Sequence, residues 1–183
     1  MKHAIAVPMA RVGIYLALKN TIKPGQEVIL SPYTIRDVVN MVICAGGVPV
    51  FADLDRASCN ISPDSVAKLI GSKTGAVLVT HFYGNIAELD ALARICEGAG
   101  VPMIEDAAQA FGGRYGNRAA GTIGRAGVLS FGMYKNINSF YGGMLLTDDD
   151  ELAAAARREM AGWPLGPAGH PSRKGLSAVV PGG

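Results

Sequence analysis

A repeated switch of hydrophobic period constrains this chain more than any single motif. Short runs that are apolar throughout, EVILSP (27–32), VPVFADLD (48–55), GAVLVTHFYG (75–84), VPMIEDAAQA (101–110), GVLSF (127–131) and GGMLLT (142–147), read as strands. Between them, apolar residues recur at helical spacing over 9–20, 34–45, 63–70, 86–99 and 148–160. The boundaries carry their own chemistry. Pro24-Gly25 and Gly46-Gly47 break the first two helices, and Ser62 caps a helix with Pro63 at its first position. Gly98 and Gly100 end the fourth helix, and acidic residues 148–151 stand at the positive end of the fifth. Strands without polar alternation, separated by helices, must be covered on both faces. The pattern therefore predicts a three-layer α/β/α fold with a mostly parallel sheet.

A chain of 183 residues with 49% hydrophobic content can bury one core of this kind. The net charge of +2 and the lack of a long basic run give no footing for nucleic acid or a membrane surface. Cys44, Cys59 and Cys96 lack metal-ligand spacing and read as reduced thiols. Pro8 and Arg11 interrupt the N-terminal apolar stretch, which argues against a signal peptide, and no run reaches the ~18 apolar residues of a membrane span. A soluble cytoplasmic protein is the expectation. From Gly162 onward periodicity is lost, so residues 162–183 are expected to be an irregular tail.

In doubly covered parallel sheets, ligands sit beyond the carboxyl ends of the strands. The residues to inspect are therefore 31–34, 81–85, 105–109, Ser130 and Lys135. Asp106 closes an apolar strand, where a carboxylate is costly unless paired. It has two readings: an N-cap facing Ala108 and Gln109, or a partner for a protonated heterocyclic nitrogen, as pyridoxal phosphate (PLP) requires. Lys135 lies in SFGMYKNINSFYGG between two apolar runs. It is either a solvated hairpin lysine or the amine that holds PLP as a Schiff base, and Ser130 just ahead of it could bind a phosphate.

The ordered motifs AVPMARVGIYLALK, PGQEVILSPYT, GGVPVFADLD, VTHFYGNIAELDAL, MIEDAAQAFGGRY and SFGMYKNINSFYGGMLLT resemble the DegT/DnrJ/EryC1/StrS family of sugar aminotransferases, within the fold type I PLP superfamily. The resemblance runs from about His3 to Glu159. It implies that Lys135 forms the Schiff base and shuttles protons. It further implies that Asp106 pairs with the pyridine nitrogen, Gln109 bonds the ring hydroxyl, and Ser130 contacts the phosphate. His81, Tyr83 and Asn85 are expected in supporting roles. Ala10 and Arg11 stand where the family's phosphate turn reads Gly-Thr, and Ile35 stands where an aromatic ring commonly stacks on the cofactor.

The family reading implies transfer of an amino group from glutamate to a keto group of a nucleotide-linked sugar, in a homodimer. Residues 1–161 are then the PLP-binding large domain, incomplete at its N-terminus, with the C-terminal small domain absent. The alternatives are a truncated, non-catalytic fragment, or a PLP-dependent sugar dehydratase. In the dehydratase branch a histidine replaces the lysine, so Lys135 favours amino transfer. A dinucleotide-binding protein is disfavoured, because no G-x-G-x-x-G follows the first strand.

Overall fold

The computed structural model describes residues 1–163. The expected irregular tail lies outside the described residues from position 164 on. The strands are β1 (His3–Val7), β2 (Glu27–Leu30), β3 (Val48–Phe51), β4 (Thr74–Thr80), β5 (Met103–Asp106), β6 (Arg114–Tyr115), β7 (Arg118–Ala119), β8 (Ala126–Ser130) and β9 (Gly143–Thr147). The α-helices are α1 (Ala10–Lys19), α2 (Arg36–Cys44), α3 (Pro63–Leu69), α4 (Leu89–Ala99) and α5 (Asp150–Ala161).

Seven strands form one sheet in the order β1-β9-β8-β5-β4-β2-β3, and β6 with β7 makes a separate small hairpin. The pairings from β8 through β5, β4 and β2 to β3 are all parallel. β9 runs antiparallel to both β8 and β1, so it is the one reversed strand. The sheet is thus mostly parallel, as its apolar runs predict.

Side-chain alternation divides the core between the two faces. Ala76 and Leu78 of β4 join Val28, Leu30, Ile104 and Val128 beneath α1, α2 and α5. Val77 and Val79 of β4 join Ile29 and Met103 beneath α3 and α4. Every residue of β4 and β5 is buried. The α1 face is further tied by Tyr15, whose hydroxyl donates to Glu159 Oε1 at 2.7 Å. That hydrogen bond, followed by burial, pushes the Tyr15 pKa up to about 12.

Local chemistry sets most boundaries. Ser62 Oγ accepts from the Ser65 N–H at the start of α3, and Asp149 Oδ1 accepts from the Leu152 N–H at the start of α5. The apolar run GAVLVTHFYG does not stay extended. It leaves β4 after Thr80 and turns through a single 3-10 turn at Phe82–Gly84, which delays α4 to Leu89. VPVFADLD likewise stops pairing at Phe51, and only Leu54 continues, as a bridge to Ile61.

Candidate active site

The carboxyl ends of β2, β4, β5 and β8 lie side by side because these neighbours are parallel. Thr80 and Asp106 are in register across β4 and β5, with both side chains buried. Asp106 Oδ1 accepts the Ala108 N–H at 3.1 Å, and Oδ2 receives the Thr80 hydroxyl at a long 3.4 Å. Burial pushes the Asp106 carboxyl above its usual range; the Ala108 N–H, the charge of Lys135 and the Thr80 hydroxyl offset this only in part. No helix follows Asp106, so it is not an N-cap; its carboxylate instead closes the turn after β5 by accepting the Ala108 N–H. This leaves one oxygen weakly served in a desolvated place beside a lysine.

Gln109 and Lys135 line one open cleft of about 560 Å³, together with Ile35, Tyr33 and Tyr83. Gln109 Oε1 accepts the Tyr83 N–H at 2.9 Å, so its amide oxygen is engaged and its NH₂ remains available to donate. Lys135 is half-buried on the 131–142 loop, and its backbone N–H closes a turn onto the Gly132 carbonyl at 3.1 Å. Ile35 caps α2 and stays 57% exposed on the cleft wall, where it presents an aliphatic surface.

Ser130 and the start of α1 meet at Gly143. Ser130 is buried and pairs with Gly143 across β8 and β9. A Cβ on Gly143 would lie 2.7 Å from the Leu129 carbonyl oxygen and 2.8 Å from the Ala10 nitrogen, so only glycine permits this approach. Ser130 Oγ is 3.5 Å from the Gly132 N–H. The Ala10 N–H, in the first turn of α1 where a helix cannot satisfy its own donors, thus lies close to Gly143, the partner of Ser130 across the sheet. The Arg11 guanidinium is engaged by the Asp37 carboxylate in the first turn of α2.

His81 takes the supporting reading. It is fully buried; Nδ1 accepts the Ala87 N–H at 3.3 Å, and Nε2 is 3.1 Å from Glu105 Oε2. Asn85 donates through Nδ2 to the Ser58 carbonyl at 3.0 Å. Two further contributors could not be found from sequence pattern. Buried Asn60 holds the turn by accepting the Phe82 N–H at 3.0 Å and donating to the Asn85 carbonyl at 3.1 Å. Asp37 is the second: the pattern marks it only as a helix-start acid, and its pairing with Arg11 is tertiary.

A family model described as the DegT/DnrJ/EryC1/StrS aminotransferase family matches residues 1–161. Among curated proteins, the chain is 41% identical over 157 residues to the spore coat polysaccharide biosynthesis protein SpsC of Bacillus subtilis (strain 168), covering 85% of this chain and 40% of that protein. Among solved structures, the aminotransferase TlmJ from Streptoalloteichus hindustanus superposes with a TM-score of 0.81 at 37% identity, covering 86% of this chain and 43% of that one. DesI, solved in the presence of its TDP-sugar product, gives a TM-score of 0.79 at 35% identity, covering 86% and 40%. The chain spans about two-fifths of the length of these relatives. Among the described residues, no helix is long and apolar enough to cross a membrane.

Proposed function

The chain belongs to the DegT/DnrJ/EryC1/StrS aminotransferase family, and from that premise we propose that it serves PLP-dependent transfer of an amino group from glutamate to a keto carbon of a nucleotide-linked sugar. The products would enter polysaccharide or secondary-metabolite sugar biosynthesis in the cytoplasm. Residues 1–161 act as the cofactor-binding domain, and a second copy completes the site in a homodimer. The names of the relatives, a polysaccharide biosynthesis protein and an enzyme with a TDP-sugar product, support the substrate class.

One observation carries the reading: at and just past the end of β5 stand a weakly served buried carboxylate and an amide whose NH₂ is available to donate, and the loop after β8 brings a lysine close to both. That donor set fits PLP. Asp106 would hold a proton on the pyridine nitrogen, and the positive charge there would offset its own desolvation. Gln109 donates its NH₂ to the ring oxygen. Ser130 and the N–H groups of Ala10 and Arg11 would hold the phosphate, and Ile35 would supply an apolar surface for the ring. PLP supplies an electron sink that stabilises a carbanion next to nitrogen. Lys135 Nζ would tether the cofactor and, as a free amine, would hold and move the proton at the reacting carbon.

The dehydratase alternative is weakened by Lys135, which occupies the position where that branch carries histidine. A non-catalytic, PLP-binding role draws on the Arg11–Asp37 ion pair and on aliphatic Ile35, both of which weaken the hold on the cofactor. Purified chain mixed with PLP separates these readings. A visible absorbance band that Lys135→Ala abolishes is the expected result, and its absence from the parent chain defeats the cofactor assignment. Glutamate should bleach the band; a band that persists under excess glutamate favours the non-catalytic role.

A further inference from the structure

We propose that Tyr83 is a substrate-contacting residue, whose ring stacks on the pyranose of a nucleotide-linked hexose at the mouth of the cleft. The inference rests on the sugar-transfer reading above and adds a specificity-determining residue to it.

Tyr83 adopts φ 51° and ψ 28°, a left-handed conformation that costs a non-glycine residue energy. Burial does not repay that cost, because the side chain is 84% exposed. The surrounding structure nonetheless enforces it. The Tyr83 N–H is tied to Gln109 Oε1 at 2.9 Å, and the preceding Phe82 N–H to Asn60 Oδ1 at 3.0 Å. Gly84 follows at φ 82°, and a Cβ there would lie 2.9 Å from the Gln109 carbonyl oxygen. Two successive left-handed residues are thus pressed against the segment that carries Gln109. Strain that is held in place while its side chain projects into solvent marks a functional position.

The setting of the ring identifies the ligand. Tyr83 stands edge-on to Phe82, with centroids 4.7 Å apart at 89°, and Phe82 lies 5.2 Å from Tyr33. These rings and Ile35 make one wall of the cleft, and Gln109 and Lys135 provide its polar groups. Lys135 is the one charged residue lining the cleft among the described residues, so the wall is not built for a diphosphate. It suits a flat ligand with an apolar face and polar edges. A pyranose has that form, with C–H bonds on its face and hydroxyls at its rim. An exposed Tyr offers a rigid aromatic face and a hydroxyl to match.

The test uses the full chain with PLP, titrated calorimetrically with dTDP-glucose, which lacks a keto group and reports binding alone. Tyr83→Asn keeps a residue tolerant of the left-handed backbone and removes the ring; Tyr83→Phe keeps the ring. The expected result is a 5- to 10-fold weaker dTDP-glucose affinity for Tyr83→Asn, on the order of one aromatic contact, with Tm unchanged or higher. Tyr83→Phe should stay within about 3-fold of the parent. Three results overturn the proposal: equal affinity in parent and Tyr83→Asn, no dTDP-glucose binding by the parent, or a Tm loss above about 3 °C in Tyr83→Asn, which would make the ring a packing element. PLP absorbance read in the same samples tests the underlying reading separately. A parent chain without the band defeats the cofactor assignment, whereas the Tyr83 proposal stands or falls on sugar affinity and Tm.

Discussion

His81 and Glu105 are joined at 3.1 Å with both side chains fully excluded from solvent. Glu105 also accepts the N–H groups of Gly121, Ile123 and Gly124, at 2.9, 2.6 and 2.7 Å. Because His81 Nδ1 accepts from Ala87, the ring carries its proton at Nε2 and donates it to Glu105. The pair pins two loops to the ends of β4 and β5, directly behind Asp106.

Glu105→Gln should therefore destabilise the chain strongly. Burial raises the Glu105 pKa, but the bonds from His81 and the three backbone N–H groups outweigh it and hold the carboxyl below its usual value. A glutamine places an NH₂ where an acceptor is required, and the loss should be roughly 2–4 kcal/mol in urea unfolding. The sign of the pH dependence follows from the lowered value. Glu105 stabilises the fold above the unfolded carboxylate pKa, and that contribution fades as pH falls through its folded pKa. If the variant unfolds within 0.5 kcal/mol of the parent, on the order of a surface change, the pair is not a keystone.

Asp106 obeys the opposite sign. Desolvation raises its pKa in the cofactor-free chain, so its ionised form costs stability. Asp106→Asn keeps the acceptor for Ala108 and offers Thr80 an NH₂. It should raise cofactor-free stability by on the order of 1 kcal/mol while abolishing the PLP-dependent activity. The gain should be full above the raised folded pKa of Asp106 and vanish as pH falls through the unfolded value, where both states are protonated. Thermal melts at several pH values decide it; a destabilised variant at neutral pH would contradict the desolvation account.

The sequence made the centre of the sheet legible because β4 and β5 are buried on both faces and leave unbroken apolar runs. It hid the edge. β1 contributes only Ile5 and Val7 to the core, with Ala4 and Ala6 exposed, so its signal dissolves into a mildly apolar N-terminus. β6 and β7 are two residues each, too short for any period. The reversal of β9 leaves no mark in composition, since an antiparallel strand buried between neighbours reads like a parallel one. That Asp106, Gln109, Ser130 and Lys135 lie at or past the ends of apolar strands was legible for the same reason as the sheet, whereas the roles given to them come from the family resemblance. The Tyr83–Gln109 bond and the Arg11–Asp37 pair were not legible, because each joins segments that only folding brings together.

That ion pair makes its own prediction. Arg11 stands in the first turn of α1, and Asp37 competes with any phosphate for its charge. Asp37→Asn should tighten PLP binding by about 2- to 5-fold, the range of an exposed ion pair. Removing an acid from the first turn of α2 should cost about 0.3–1 kcal/mol of stability. Arg11→Ala should weaken PLP binding instead. Equal affinities across parent and both variants would place Arg11 outside the phosphate site.

Ile35 tests how the cofactor ring is held. It lines the cleft with Lys135 and Gln109 but offers no π-face, and its 57% exposure leaves room for a larger side chain. Ile35 caps α2 with an extended backbone, φ −74° and ψ 146°, which an aromatic residue adopts without strain. Ile35→Phe should leave stability within about 0.5 kcal/mol of the parent, because the position is largely solvent-facing. It should tighten PLP by about 0.5–1.5 kcal/mol, the worth of an offset aromatic stack, which corresponds to roughly 2- to 12-fold in Kd. Titration of the absorbance band at fixed pH measures that change. An unchanged Kd would mean that the pyridine ring lies away from this wall, and the family alignment at Ile35 would then fail for this chain.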